Sequence, residues 1–224
     1  MFTGNLQPTN LFTCFGVKGG LICYNQTGNM GGQLPKANET MLILASNSPR
    51  RRELLKRITS DFEVVSPDSD ENIPLLPPEL FVRKLARIKA ESVFSAYPDA
   101  AVIGSDTVVT LGGKIYGKPN GREGAIAMLK ELSGRTHEVY TAVCVMRGAA
   151  IAEGTERSTV TFARLSHDKI ARYVDEFSPL DKAGSYGIQD GFGIVRKFTG
   201  SFENIMGFPV ELVRSLLKEA GYIG

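Results

Sequence analysis

Long apolar runs are missing from this chain, and so is any large excess of one charge. No stretch approaches the ~20 consecutive apolar residues of a membrane-spanning helix, which argues against a membrane partner. With 26 Lys and Arg against 24 Asp and Glu, the net charge is +2. That is far from the basic stripe of a dedicated nucleic-acid binder and argues against nucleic acid as a main partner. Cysteine is scarce. Cys14 and Cys23 lie near the N-terminus, and only Cys144 lies in the body, inside an apolar strand pattern. A disulfide framework is not expected, and a cytoplasmic location fits. The two histidines, His137 and His167, share no metal-binding spacing, and no Cys/His or Ser/His arrangement suggests a covalent nucleophile. His137 reads as structural near a strand start, and His167 as exposed in a helix's first turn.

What is present is an ordinary globular composition, 42% hydrophobic and 22% charged over 224 residues, enough for a large core in one domain or two tight lobes. Residues 1–40 stand apart, with seven Gly and five Asn but only Lys18, Lys36 and Glu39 charged. They are expected to be a disordered extension or a misassigned start, with Met41 as a plausible initiator and 41–224 as the functional domain.

From Met41 onward β and α patterns alternate. Met41 to Leu44 reads as a strand, Ser48-Pro49 as the start of a helix carrying Leu54, Leu55 and Ile58, and Phe62 to Val65 as a short strand. Pro77-Pro78 opens a long helix with an apolar stripe of Leu80, Phe81, Leu85, Ile88 and Val93. Most of its charges, among them Arg83, Lys84, Arg87, Lys89 and Glu91, read as a solvated face. Ala100 to Gly104 runs on as strand to Leu111, Gly112-Gly113 turns into a return at Lys114 to Gly117, and Asn120 is expected to cap a helix through Leu132. Val139 to Met146 and Ala149 to Phe162 form a β ribbon, Ser166 caps a helix to Phe177, and Pro209 to Ala220 is a last helix. The stretch 178–208, with six glycines, reads as a long functional loop region.

Several constellations carry chemistry. In Ala45-Ser46-Asn47-Ser48-Pro49-Arg50-Arg51-Arg52, hydroxyls, free helix-start N–H groups and three guanidiniums suit a polyphosphate; the same residues also suit a buried strand followed by a helix with a solvated Arg face. Asp106, in Gly104-Ser105-Asp106-Thr107, sits at the usual ligand edge of an α/β sheet or else caps a turn. Asp68, Asp70 and Glu71 offer hard oxygen donors for Mg²⁺ or Mn²⁺, or form a plain acidic loop. Lys118 and Lys182 add cations, and the Gln189 amide can read a base edge or pin its loop.

Together, SNSPRRRELL at 46–55, GSDTVV at 104–109, GKP at 117–119, SGRTHEVYTAV at 133–143, DKAGSYGIQ at 181–189 and GFPV at 207–210 resemble the Maf family of nucleoside triphosphate pyrophosphatases, also described as septum-formation inhibitors. The likeness runs in order through 41–224. It implies an α/β fold with a mixed twisted sheet, flanking helices and two lobes around a cleft, like that of inosine triphosphate pyrophosphatases, and often a homodimer. It implies hydrolysis of a nucleoside triphosphate to monophosphate and diphosphate with a divalent metal cation, Mg²⁺ or Mn²⁺. Asp106 matches the family's proton acceptor, and a carboxylate there can instead hold the metal, with Glu71 the second metal-ligand candidate. Arg50, Thr107 and Gln189 match the residues of the dTTP/UTP branch. Ser46, Arg51, Lys89, Lys118 and Lys182 are the phosphate-binding candidates. Gly-Phe-Pro at 207–209 replaces the family's usual Gly-Leu-Pro. Two other readings stay open at this point: a cell-division protein that acts by binding partners, and a pyrophosphatase of different base preference such as 7-methyl-GTP.

Overall fold

A computed structural model describes residues 13–17, 20–24 and 40–224. Strands β1 (Thr13–Val17) and β2 (Gly20–Tyr24) pair antiparallel, Thr13 opposite Tyr24 and Val17 opposite Gly20. The other residues of 1–39, and with them most of the stretch expected to be a disordered extension or misassigned start, lie outside the described residues.

In 40–224, β3 (Leu42–Ala45) is buried at all four positions, as a strand covered on both faces must be. Ser48 takes an extended conformation and its Oγ accepts from the Arg51 N–H, Pro49 fills the first helical position, and α1 (Pro49–Leu55) follows. Strand β4 (Glu63–Val65) pairs parallel with one side of β3, and β5 (Ala101–Leu111) with the other, after α2 (Pro78–Phe94). Strand β6 (Lys114–Tyr116) folds back on β5 through Gly112 and Gly113, both with positive φ. Then come α3 (Gly121–Leu132), β7 (Thr136–Arg147), β8 (Ala150–Phe162), α4 (His167–Phe177), three 3-10 turns between 179 and 190, β9 (Val195–Thr199), α5 (Phe202–Met206) and α6 (Val210–Glu219). The seven-stranded sheet runs β4-β3-β5-β7-β8-β9 with β6 attached to β5, parallel at its first three strands and antiparallel beyond. Among the described residues no helix is long and apolar enough to cross a membrane.

The architecture is the expected mixed α/β sheet with flanking helices, and several local readings change. Asn120 precedes α3, but its side chain makes no capping hydrogen bond. The stretch 178–208 contains β9 and α5. Strand β9 is an edge strand exposed at four of five positions and α5 has five residues, so neither produces a periodic apolar signal. On α2 the buried stripe is Val82, Leu85, Ala86, Lys89, Ala90 and Val93, while Leu80 is exposed. Lys89 therefore sits on the inward face and not with the solvated charges.

The sheet separates its core into regions. At the β3 end, α1 and α6 pack on one face with Leu44, Ile103 and Val145, and α2 packs on the other with Ile43, Val102 and Cys144. Farther along, α3 and α4 enclose Val109, Val139, Val160 and Phe162. Along β5 alternate side chains face opposite ways, so Val102, Gly104, Asp106 and Val108 share the α2 face. Gly104 is the contact point. A Cβ there would lie 2.2 Å from the Ala86 carbonyl oxygen and 2.6 Å from the Ala90 nitrogen, so only glycine lets the helix backbone come this close. Because the obstacle is backbone, Gly104→Ala is expected to destabilise the protein by about 3 kcal/mol. Urea denaturation checks this, and a loss below about 1 kcal/mol would show that α2 shifts without cost.

Candidate active site

The register of the parallel strands brings the chemistry together. Ala45 pairs with Gly104, so Ser46 leaves the end of β3 beside Ser105 and Asp106, where α/β sheets hold ligands; β5 itself runs on to Leu111, so Asp106 stands within a strand and not at the strand end or turn expected from sequence. A cavity of about 610 Å³ opens there, lined by Ser46, Arg50, Arg51, Glu71, Lys89, Asp106, Thr107, Lys118, Lys182 and Gln189. The ten residues to which the family resemblance gave a role all line this one space, and Arg52 does not. Its volume is ordinary for a small-molecule site. Asp68 and Asp70 do not line it; the Asp70 carboxylate accepts from the Asn72 N–H and shapes the loop that delivers Glu71.

Asp106 and Lys89 are nearly buried. The Lys89 ammonium donates to Asp106 Oδ1 at 2.5 Å and lies 3.0 Å from Glu71 Oε2. Two carboxylates thus converge on one nitrogen. Asp106 Oδ2 has no hydrogen-bond partner among the described residues.

The Arg51 guanidinium joins four parts of the chain. Its Nε donates to the Gly207 carbonyl at 2.9 Å, Nη1 to the Ser105 carbonyl at 2.7 Å and to Ser46 Oγ at 3.3 Å, and Nη2 to Thr107 Oγ1 at 3.1 Å. Burial pulls its pKa down, Asp106 and Glu71 oppose this and Arg50 adds to it; the group stays charged. Thr107 Oγ1 also lies 3.0 Å from Thr141 Oγ1, which donates to the Asn204 carbonyl. Ser46 Oγ accepts from the Ser48 N–H as well as from Arg51, so its own hydrogen remains free for a ligand.

Across the cavity, Asp181 takes Arg50 Nη1 at 2.6 Å on Oδ2 and Lys182 Nζ at 2.9 Å on Oδ1. Gly184, at φ +70, packs against Val109 and donates its N–H to the Gly117 carbonyl, which sets the Lys182 loop beside Lys118. Tyr173 accepts from the Gly187 N–H and donates to Asp190 Oδ2, pinning the turn that carries Gln189. The Gln189 amide and the Lys118 ammonium make no hydrogen bond or ion pair among the described residues. Sequence reasoning missed Asp181 as a partner of two cavity cations. It also missed the apolar wall formed by Phe81, Leu85, Ile115, Ile205 and Met206. The position of Asp181 next to Lys182 was the available signal for the first; the second has no local one.

The histidines take the expected places. His167 is exposed at the start of α4. His137 is buried, packs edge-on against Phe162 and Tyr186, and pairs through Nε2 with the Tyr186 hydroxyl at 2.9 Å. Tyr186 itself lines the cavity. Burial pushes the His137 pKa down to about 4 and the Cys144 thiol pKa up, so neither is charged at neutral pH.

A model of the family described as Maf-like protein matches residues 41–220. A dTTP/UTP pyrophosphatase of Latilactobacillus sakei is 43% identical over 180 residues, 80% of this chain and 99% of that protein. Another, of Deinococcus radiodurans, is 42% identical over 189 residues, 84% of this chain and 97% of its own length. Among solved structures, the Ham1 protein of Staphylococcus aureus aligns with a TM-score of 0.44 at 18% identity, over 55% of this chain and 72% of that one.

His137 gives a pH dependence. Unfolded, a histidine takes up its proton near pH 6.5; folded, His137 stays neutral down to about 4. Its contribution is complete above pH 6.5 and is lost as the pH falls to 4, about 3 kcal/mol over that window. In denaturation series across pH, His137→Gln is expected to flatten the slope between pH 4 and 6.5 by up to one proton. An unchanged slope would place the acid sensitivity elsewhere.

Proposed function

The chain belongs to the Maf family, and from that premise we propose that it hydrolyses dTTP and UTP to the nucleoside monophosphate and diphosphate, as a cytoplasmic homodimer. The observation that carries this reading is the single cavity that gathers Ser46, Arg51, Lys89, Lys118 and Lys182 around Asp106. Phosphate-binding groups and a carboxylate with a free oxygen are what this hydrolysis requires.

Water attacks a phosphorus of the α–β bridge, and Asp106 Oδ2 accepts its proton while Lys89 holds Oδ1 and fixes the carboxylate's orientation. The P–O bond to the departing phosphate breaks, and the charge that builds on its oxygens is met by Arg51, Lys118 and the Ser46 hydroxyl. Arg51 is held by carbonyl and hydroxyl oxygens, so its positive charge remains available without the side chain having to move. At the base end, Gln189 offers one N–H donor set and one C=O to the acceptor, donor, acceptor edge of uracil or thymine. Arg50 adds donors beside it. Thr107, whose hydroxyl is engaged by Arg51 and Thr141, shapes the floor.

Mg²⁺ or Mn²⁺ belongs to the same proposal, with Glu71 and Asp106 as its protein ligands. The residues fit such an ion. Two hard carboxylates converge on one point, and no third His, Cys, Asp or Glu among the described residues completes a protein cage, which is how Mg²⁺ sites that share substrate phosphates are built. Bound there, the cation would neutralise charge on the phosphate oxygens. The Lys89 ammonium, which lies between the two carboxylates, would keep its bond to Asp106 Oδ1 beside the ion.

The test is purified protein with dTTP, UTP, CTP and 7-methyl-GTP, scored for diphosphate with Mg²⁺ or Mn²⁺ and again with excess chelator. dTTP and UTP are expected to lead CTP by about tenfold or more in kcat/KM, since a mismatched buried group costs about 1–3 kcal/mol, and chelation is expected to stop turnover. Turnover of none of the four would favour a binding role; full turnover in chelator would remove the metal. Asp106→Asn is expected to lower kcat about a hundredfold or more while nucleotide still binds. Near-normal kcat in that variant would shift the chemistry to Glu71. Gln189→Glu is expected to erode the UTP to CTP ratio more than it lowers the best kcat, and equal loss on both nucleotides would deny Gln189 a part in reading the base.

A further inference from the structure

One carboxylate in the cavity has no part in the chemistry above. Asp181 lies in the 3-10 turn Pro179–Asp181, half exposed, while its two partners are largely covered, with 19% of the Arg50 side chain and 14% of the Lys182 side chain accessible. The ion pair with Arg50 joins α1 to the loop that carries Lys182 and Gln189. Partial burial pushes the Asp181 carboxyl up, but the hydrogen bonds from Lys182 and Arg50 outweigh this and hold it below the ordinary carboxylate range, so it is ionised at neutral pH.

A negative charge lining a triphosphate cavity repels the ligand unless it does something else. The other cations show what that is. Arg51 is held by uncharged acceptors, and Lys118 has no ion-pair partner among the described residues, so neither is bound up in an ion pair. Arg50 and Lys182 share one carboxylate, each on its own oxygen. Those three side chains carry a net charge of +1 where two unpaired cations would carry +2. Arg50 uses only one N–H of its five on Asp181. It is left with a fork of free donors but a reduced attraction for anions, which suits the neutral carbonyls of a base better than a phosphate.

We propose that Asp181 is a positioning residue that divides the cavity: it holds Arg50 at the base end and weakens its pull on phosphate, leaving the triphosphate to Ser46, Arg51, Lys118 and a partly neutralised Lys182. This rests on the nucleotide reading above. Without Asp181 Lys182 grips phosphate harder and the phosphate chain can slide onto Arg50, so phosphate affinity rises while base selection falls. A side chain that merely braced the loop would weaken both.

Inorganic tripolyphosphate, which has phosphates and no base, separates these outcomes. In Asp181→Asn, it is expected to inhibit about fivefold more strongly than in the parent, and the UTP to CTP ratio in kcat/KM to fall by about the same factor. Asp181→Glu, which keeps the charge, is expected to restore both toward parent values. Weaker tripolyphosphate inhibition in Asp181→Asn, or an unchanged ratio with unchanged inhibition, would overturn the proposal. Should Asp181→Asn fail to fold, the UTP to CTP ratio of Arg50→Gln decides it: the ratio is expected to fall, and a parent-like ratio would sink the proposal equally. If the parent turns over no nucleotide, the functional reading fails by itself, and calorimetric binding of tripolyphosphate to parent and Asp181→Asn still decides the role of Asp181.

Discussion

The pairing of Lys89 with Asp106 is the interaction on which the arrangement of the site depends. Both groups are nearly buried, and a buried charge left alone costs several kcal/mol. The two groups meet only if α2 rides at a fixed height over β5. Gly104 sets that height, because its missing Cβ lets the backbone at Ala86 and Ala90 approach the strand. The fold and the chemistry therefore share one contact. A change that lifts the helix weakens core packing and also pulls the ammonium away from the carboxylate two residues further along the strand.

Arg51 solves the opposite problem. A loop, two points of one strand and the end of α5 must be held together around a cavity, and one guanidinium does this with hydrogen bonds to the Ser46 and Thr107 hydroxyls and the Ser105 and Gly207 carbonyls. Gly207, at φ +106, can turn its carbonyl into this position where a side chain would be strained. Because all four partners are uncharged, the cross-link leaves the positive charge intact. The same residue closes the floor of the cavity and makes it attractive to anions.

How much of this was legible depends on the range of the signal. The β/α alternation from β3 to β8 follows from apolar periodicity, and the Ser48-Pro49 helix start from capping chemistry, both carried by a few adjacent residues. That Ser46 and Arg51 face a cavity was legible because the end of a buried strand next to a polar turn is where ligands sit, whereas Asp106 reaches the same cavity from inside β5. Lys89 shows the limit. Its spacing from Val82, Leu85 and Val93 puts it on the helix's inward face, yet a lysine among Arg83, Lys84 and Arg87 reads as part of a solvated surface until its partner on β5 is known. Asp181 and Arg50 are 131 positions apart, and no local pattern announces such a pair. Strand β9 and α5 escaped because one is exposed along an edge and the other is too short for a helical period to develop.

The cavity's charges form a graded series. Five cations face three carboxylates on its lining, and they differ in how firmly each is held. Arg51 is fixed by neutral oxygens, Lys89 is buried between two carboxylates, Arg50 and Lys182 share one at the mouth, and Lys118 is exposed with no ion-pair partner among the described residues. Five unpaired cations in so small a space would repel one another and destabilise the empty protein. Internal carboxylates relieve that repulsion, and a ligand's phosphates can take their place only where the ion pair is exposed enough to exchange. On this basis the half-exposed Asp181 pair is open to competition from anions, while the buried Lys89–Asp106 pair resists it. An anionic ligand then finds in Lys118 and Arg51 the two cavity cations that no ion pair among the described residues ties down.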